Sequence, residues 1–89
     1  MHGSIINSNV QVDKNCIINN KALIEHDSTI GDHCHISTGA IINGGVIIGN
    51  CSFIGSGTII KQKIKIGKNV IIRFGKSIVK NVPDYSVIK

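Results

Sequence analysis

The side chains best suited to acid–base chemistry are concentrated in one short segment. Three of the four histidines and three of the five acidic residues fall within residues 25–35, which read EHDSTIGDHCH. In this segment Asp27 directly follows His26. An imidazole titrates near working pH and an adjacent carboxylate can orient it, so this pair could act as a general base. Taken alone, the pair is weak evidence for catalysis, because a solvated corner histidine is the more common interpretation of such a dipeptide.

Neither a metal site nor a disulfide framework is predicted. The three cysteines contain no C-x-x-C pair, and no histidine follows residue 35. His26, His33 and His35 are all local, whereas a zinc site of converging histidines needs ligands from distant parts of the chain. The N-terminus has no secretory signal pattern. We therefore expect a cytoplasmic protein.

Charge is distributed unevenly along the chain. Residues 1–60 carry two lysines and four acidic residues, a net charge of −2, whereas residues 61–89 carry eight basic residues and one acidic residue, a net charge of +7. The basic end suggests an anionic partner such as a phosphorylated small molecule, or simply a solvated lysine-rich face. Only 3% of residues are aromatic, which argues against nucleic acid. No apolar run approaches the about 20 residues of a membrane span.

An uninterrupted six-residue repeat runs through the chain. Every sixth residue from Ile6 to Ile78 is aliphatic, and the residue two places earlier is small or β-branched until Lys76. The aliphatic positions are Ile6, Val12, Ile18, Ile24, Ile30, Ile36, Ile42, Ile48, Ile54, Ile60, Ile66, Ile72 and Ile78. Glycine follows them at positions 31, 49, 55 and 67, where we expect it to permit the backbone angles of tight corners.

A six-residue period fits neither a helix nor an ordinary strand meander. It predicts short strands separated by corners, three to a coil, in an all-β parallel β-helix of just over four coils. The repeat resembles that of hexapeptide-repeat proteins, and the left hand of the coil is taken from that resemblance. The β-helix is predicted for residues 1–81, with an exit turn and tail at residues 82–89. Cys16 and Cys34 then stack as small inward residues, and Cys51 is a corner or surface thiol.

The outward positions suggest that this solenoid does not stand alone. Many of them are apolar and would lie in water on a single prism. They are Ile5, Ile17, Leu23, Ile41, Ile47, Phe53, Ile59 and Ile71. We expect side-to-side association into a homotrimer of parallel prisms, the arrangement this fold commonly adopts.

The 18-residue coil places an open slot beside the His–Asp pair. Gly44 and Gly45 lie one coil above His26 and Asp27, so no side chains stand there. His35 precedes an axis residue, which predicts that it projects from a flat face between Ile17 and Phe53.

Residues 22–49, ALIEHDSTIGDHCHISTGAIINGGVIIG, closely resemble the bacterial acetyltransferases that modify sialic acid or nucleotide-linked 4-amino sugars. Their signature runs approximately I-E-H-D/E-C-x-I-G-x-x-x-H-I-x-x-G-A-x-x-x-G-x-V-x-I-G, and here Ser28 replaces the usual Cys. The resemblance extends over residues 1 to about 84. It implies an acetyl-CoA-dependent enzyme that acetylates an amino or hydroxyl group of a sugar or nucleotide-sugar, without a metal.

The resemblance also implies roles for particular residues. His26 matches the catalytic base, Asp27 its acidic neighbour, and His35 a histidine near the acetyl group. Gly44 matches the residue whose N–H faces the thioester carbonyl, and Asn19 a polar position near the acceptor. The pantetheine arm of CoA is expected along Gly55, Ser56 and Gly57, with basic residues of segment 61–80 at its phosphates.

Two departures keep a second function open. Family members begin with a sugar-nucleotide-binding domain that has no counterpart in these residues, and Arg73-Phe74 replaces a Gly followed by a small residue. The alternative is a non-catalytic trimeric β-helix scaffold, which predicts a stable trimer without affinity for CoA.

Overall fold

The computed structural model describes residues 3–89, so the first two residues of the predicted β-helix lie outside the described part. Every element is a two-residue strand. The strands are β1 (Ile5–Ile6), β2 (Gln11–Val12), β3 (Ile17–Ile18), β4 (Leu23–Ile24), β5 (Thr29–Ile30), β6 (His35–Ile36), β7 (Ile41–Ile42), β8 (Ile47–Ile48), β9 (Phe53–Ile54), β10 (Ile59–Ile60), β11 (Lys65–Ile66), β12 (Ile71–Ile72), β13 (Ser77–Ile78) and β14 (Val87–Ile88). Among residues 3–89 no helix has the length and hydropathy of a transmembrane span.

The strands form three parallel sheets, which are the faces of a triangular prism. Face A is β1-β4-β7-β10-β13, face B is β2-β5-β8-β11, and face C is β3-β6-β9-β12-β14. Ile5 pairs with Leu23, and Leu23 with Ile41, so one coil takes 18 residues. The predicted all-β parallel β-helix is confirmed, and its architecture is consistent with the left-handed form.

Three corners join the faces and are named here by the faces they connect. Corner A/B comprises residues 7–10, 25–28, 43–46 and 61–64; corner B/C comprises 13–16, 31–34, 49–52 and 67–70; corner C/A comprises 19–22, 37–40, 55–58 and 73–76.

The core is a single column of aliphatic side chains along the axis. The axis residues from Ile18 to Ile72 are at most 1% exposed. The small residues two places earlier close the corners from inside: the Ser28 hydroxyl donates to the Asn43 carbonyl at 2.8 Å, and the Cys34 thiol donates to the Gly49 carbonyl at 3.1 Å. Serine and cysteine are thus interchangeable donors at this position, which explains Ser28 where the signature has Cys.

The reason predicted for the corner glycines is wrong. The left-handed φ values lie three residues after each axis residue from Ile6 to Ile72, as at Asp27 (63°) and Cys51 (61°), and not at the glycines that directly follow the axis residues. At those glycines the constraint is close packing between coils, because a Cβ on Gly55 would lie 2.5 Å from the carbonyl carbon of Arg73.

The two ends of the solenoid differ. At the N-terminal end the axis residues Ile6 and Val12 remain 44% and 36% exposed. At the other end Val82 forms a parallel bridge to Ile66 and β14 pairs with β12. The segment predicted as turn and tail therefore contributes a further strand to the solenoid.

Candidate functional site

The His26–Asp27 pair lies on corner A/B, in the turn between β4 and β5. His26 Nδ1 is 3.1 Å from Asp27 Oδ2, and the two side chains are 64% and 59% exposed. Asp27 adopts a left-handed φ of 63°, a conformation that Asp tolerates better than most residues. In the neutral ring Nδ1–H donates to the carboxylate, which leaves the lone pair of Nε2 free to accept a proton.

Gly44 has no side chain that would press on this imidazole, which packs directly against it. The position of a Cβ on Gly44 would be 3.1 Å from His26 Cε1 and 3.2 Å from Nε2, and the N–H of Gly45 donates to the His26 carbonyl at 3.0 Å. The predicted stacking of the two glycines on the His–Asp pair is confirmed. We call the surface of Gly44 and Gly45, from which no side chain projects, the glycine slot.

The backbone N–H of Gly44 has no acceptor anywhere within residues 3–89. The equivalent groups on corner B/C are occupied: the N–H groups of Lys14 and Asp32 donate to side-chain oxygens of Asp32 and Asn50, one coil further on, at 3.0 and 2.8 Å. Gly44 therefore offers a donor beside the unprotonated nitrogen of His26. A general base takes a proton from a nucleophile, and a free N–H stabilises an oxyanion, so the two groups together suit acyl transfer.

His35 lies on face C, with its ring in the column between Ile17 and Phe53 as predicted. The rings of His35 and Phe53 are edge to face, with centroids 5.0 Å apart and planes at 70°. Asn19 Nδ2 is 3.0 Å from His35 Nε2. The structure thus joins two residues to which the family resemblance gave separate roles, a contact that sequence spacing did not reveal because it connects a corner to a face.

The predicted residues form two groups that do not meet within one chain. His26, Asp27 and Gly44 are on corner A/B, which is opposite face C in a triangular prism. His35 is on face C, and Asn19 and residues 55–57 are on the adjoining corner C/A. A site that contains both groups therefore needs two copies of the chain.

Corner C/A provides both open and crowded surface. No atom lies within 4 Å of a Cβ position on Gly57, and Ser56 is exposed. One coil above, Phe74 is 67% exposed, and the Arg73 guanidinium lies 5.7 Å from the centroid of its ring.

Apolar and charged side chains lie on different parts of the surface. The outward residues of faces A and C are mostly apolar, whereas those of face B are Gln11, Thr29, Ile47 and Lys65. Lys63 stands one coil above the glycine slot, with its Cγ 3.4 Å from the Cβ position of Gly45. Charge alone places Lys63 only in the basic segment 61–80, whereas the 18-residue spacing also predicts its position above Gly45.

No three metal-binding side chains come together within the described part of the chain. His26 lies on corner A/B, His33 on corner B/C and His35 on face C.

The comparisons agree with this fold. Residues 27–62 match the sequence model described as bacterial transferase hexapeptide (six repeats). No curated protein matches the chain in sequence.

Three solved structures illustrate the fold similarity. The acetyltransferase domain of PglB from Neisseria gonorrhoeae FA1090, in complex with acetyl coenzyme A, has 20% sequence identity and a TM-score of 0.73. The match covers 97% of this chain and 51% of the PglB chain. PerB from Caulobacter crescentus, in complex with CoA and GDP-perosamine, has 24% sequence identity and a TM-score of 0.73. The match covers 97% of this chain and 50% of the PerB chain. Serine acetyltransferase isoform 3 from Entamoeba histolytica, in complex with cysteine, has 21% sequence identity and a TM-score of 0.85. The match covers 94% of this chain and 34% of the acetyltransferase chain.

The chain spans about half the length of the PglB and PerB chains and about a third of the serine acetyltransferase chain. The repeat match and the shared fold confirm the predicted hexapeptide-repeat β-helix, which these solved acetyltransferases also contain.

Proposed function

We propose that this protein is an acetyl-CoA-dependent acetyltransferase that acts in the cytoplasm on an amino or hydroxyl group of a sugar or nucleotide-sugar. The observation that carries the proposal is the arrangement at corner A/B. The Asp27 carboxylate accepts from Nδ1–H of the neutral His26 ring, and Nε2 lies against Gly44, whose N–H has no acceptor among residues 3–89.

In this reaction the acceptor attacks the thioester carbonyl while His26 Nε2 takes its proton. The Asp27 carboxylate stabilises the imidazolium that forms, and the Gly44 N–H donates to the oxyanion. Collapse of the tetrahedral intermediate breaks the C–S bond, and the proton on His26 passes to the departing CoA thiolate. Because base, donor and acceptor are held together, no covalent enzyme intermediate is needed.

The active assembly in this proposal is a homotrimer of parallel prisms. Its support is the separation of the two groups of residues and the apolar outward residues on faces A and C. When corner A/B of one copy lies beside face C of the next, each site receives His26, Asp27 and Gly44 from one copy and His35 and Asn19 from the other. The same contact buries apolar side chains that are otherwise in water.

The groove between two prisms is the proposed place for the pantetheine arm, along Gly55, Ser56 and Gly57. Gly57 leaves its corner open, which permits close approach of a ligand. The basic residues of segment 61–80 supply charge for the phosphates of CoA.

Acetyl transfer can be tested by incubating the protein with acetyl-CoA and a set of amino sugars, nucleotide-linked 4-amino sugars and sialic acid, and measuring release of the CoA thiol. We expect His26→Ala to abolish transfer and His33→Ala, on corner B/C, to leave it unchanged. Both variants should keep the assembly of the wild type, because both side chains are exposed. An unchanged rate in His26→Ala would contradict the proposed base.

Phe74 favours one other function, a trimeric β-helix scaffold without catalysis. Its exposed ring stands above Ser56, on the corner proposed for CoA. A scaffold would form the same trimer and would bind no CoA.

A further inference from the structure

The contact between Asn19 and His35 determines which ring nitrogen carries the proton. The amide nitrogen of Asn19 only donates hydrogen bonds, and it lies 3.0 Å from His35 Nε2. A ring nitrogen accepts a hydrogen bond only when it bears no proton. The neutral imidazole of His35 is therefore protonated at Nδ1.

Both partners in this contact are held in place. The backbone N–H of Asn19 donates to the Ile36 carbonyl at 2.9 Å, and its carbonyl accepts from the Ala22 N–H at 3.3 Å. The edge-to-face contact with Phe53 fixes the plane of the His35 ring. Nδ1 of His35 has no hydrogen-bond partner among the residues that the structure describes. Its N–H is thus a spare donor on a partly buried ring.

The two histidines are held in opposite roles by the groups that contact them. An acceptor at Nδ1, the Asp27 carboxylate, leaves His26 with a free lone pair at Nε2. A donor at Nε2, the Asn19 amide, leaves His35 with a free N–H at Nδ1. One ring is prepared to accept a proton and the other to donate a hydrogen bond.

We propose that Asn19 is a positioning residue that fixes His35 as the Nδ1–H tautomer, so that His35 serves as a neutral hydrogen-bond donor to the acyl group or acceptor in the groove. The inference rests on the proposed acetyl transfer and replaces the direct acceptor contact that family resemblance implied for Asn19. In this arrangement His35 takes no proton during the reaction.

The tautomer can be measured without substrate, by ¹⁵N NMR of the histidine-labelled chain at mildly alkaline pH, where the neutral form of an ordinary imidazole predominates. His35→Gln assigns the signal. We expect Nδ1–H in the wild type and Nε2–H in Asn19→Asp, because the carboxylate accepts where the amide donates. Asn20→Asp, at the exposed neighbouring position, should leave the tautomer unchanged.

Detection of Nε2–H in the wild type would overturn the inference, and so would an unchanged tautomer in a folded Asn19→Asp variant. If that variant does not fold, the wild-type spectrum still tests the inference, because it shows which nitrogen of His35 carries the proton. Where acetyl transfer is observed, we expect Asn19→Asp to lower kcat on the order of 100-fold with little change in the KM for acetyl-CoA. Because the spectrum needs no turnover, failure of the tautomer assignment and failure of the proposed reaction are separate results.

Discussion

The imidazole of His26 lies directly against Gly44, with Nε2 3.2 Å from the place that a Cβ on Gly44 would occupy. Any side chain at position 44 would therefore press on the nitrogen that is proposed to accept the proton. The backbone of Gly44 does not have a left-handed φ, so an alanine can adopt its conformation.

This contact makes Gly44→Ala a specific test of the slot. We expect kcat/KM to fall about 100-fold, because small displacements of a catalytic group have effects of this size. The free energy of unfolding should change by less than about 1 kcal/mol, since the crowded atoms belong to an exposed ring that can move. Enzyme kinetics and thermal unfolding measure the two effects. Ser8→Ala, one coil below His26 on the same corner, is the matched control, and wild-type kcat/KM in Gly44→Ala would show that the slot is not used.

Ile71 tests the proposed assembly. It is 47% exposed on face C, two positions along the column from His35. We expect Ile71→Glu to dissociate the trimer, because a charge in an apolar contact loses hydration without gaining a partner. Gln11→Glu, on face B at the N-terminal end, is the control and should remain a trimer. Sedimentation of the two variants gives the answer, and a trimeric Ile71→Glu protein would exclude face C from the interface.

The cysteines should differ sharply in reactivity. Burial raises the pKa of the Cys34 thiol above its ordinary value of 9.0, so little thiolate forms at neutral pH, whereas Cys51 is exposed. We expect a maleimide to modify Cys51 in the native protein and Cys34 only after unfolding, as followed by peptide mass mapping. Cys51→Asn, which suits the left-handed φ at this position, provides the control. Comparable native labelling of Cys34 would contradict its inward position.

The raised pKa also has a consequence for stability. The unfolded chain gives up the Cys34 proton at lower pH than the folded chain does. The protonated thiol therefore contributes its full share to the free energy of unfolding below the ordinary thiol pKa, and this contribution is lost as pH rises through the folded-state pKa. Cys34→Ser should remove this pH dependence and retain the fold, because Ser28 and Ser52 make the equivalent hydrogen bond.

Most of the fold could be predicted because one physical requirement recurs at a fixed interval. Each coil must supply three aliphatic side chains to the axis, and the unbroken series from Ile6 to Ile78 records that requirement directly. The stacking of Gly44 on His26 follows from the same 18-residue interval. β14 lies outside the repeat because the last spacing is shorter: Val82 follows its partner Ile66 by 16 residues instead of 18.

Other features depend on geometry that the repeat does not encode. The corner glycines are required by contact between successive coils, which the sequence pattern alone does not distinguish from a requirement for positive φ. The contact of Asn19 with His35 joins residues 16 apart, across a corner, and so falls outside the stacking rule. That His26 and His35 belong to different sides of the prism follows only once the three faces are assigned.

A calorimetric titration of the purified protein with CoA tests the central claim most directly. The acetyltransferase account predicts saturable binding near one CoA per chain, with the site between neighbouring prisms. Absence of detectable heat at high CoA concentration, with the trimer intact, would contradict it and would support the non-catalytic scaffold.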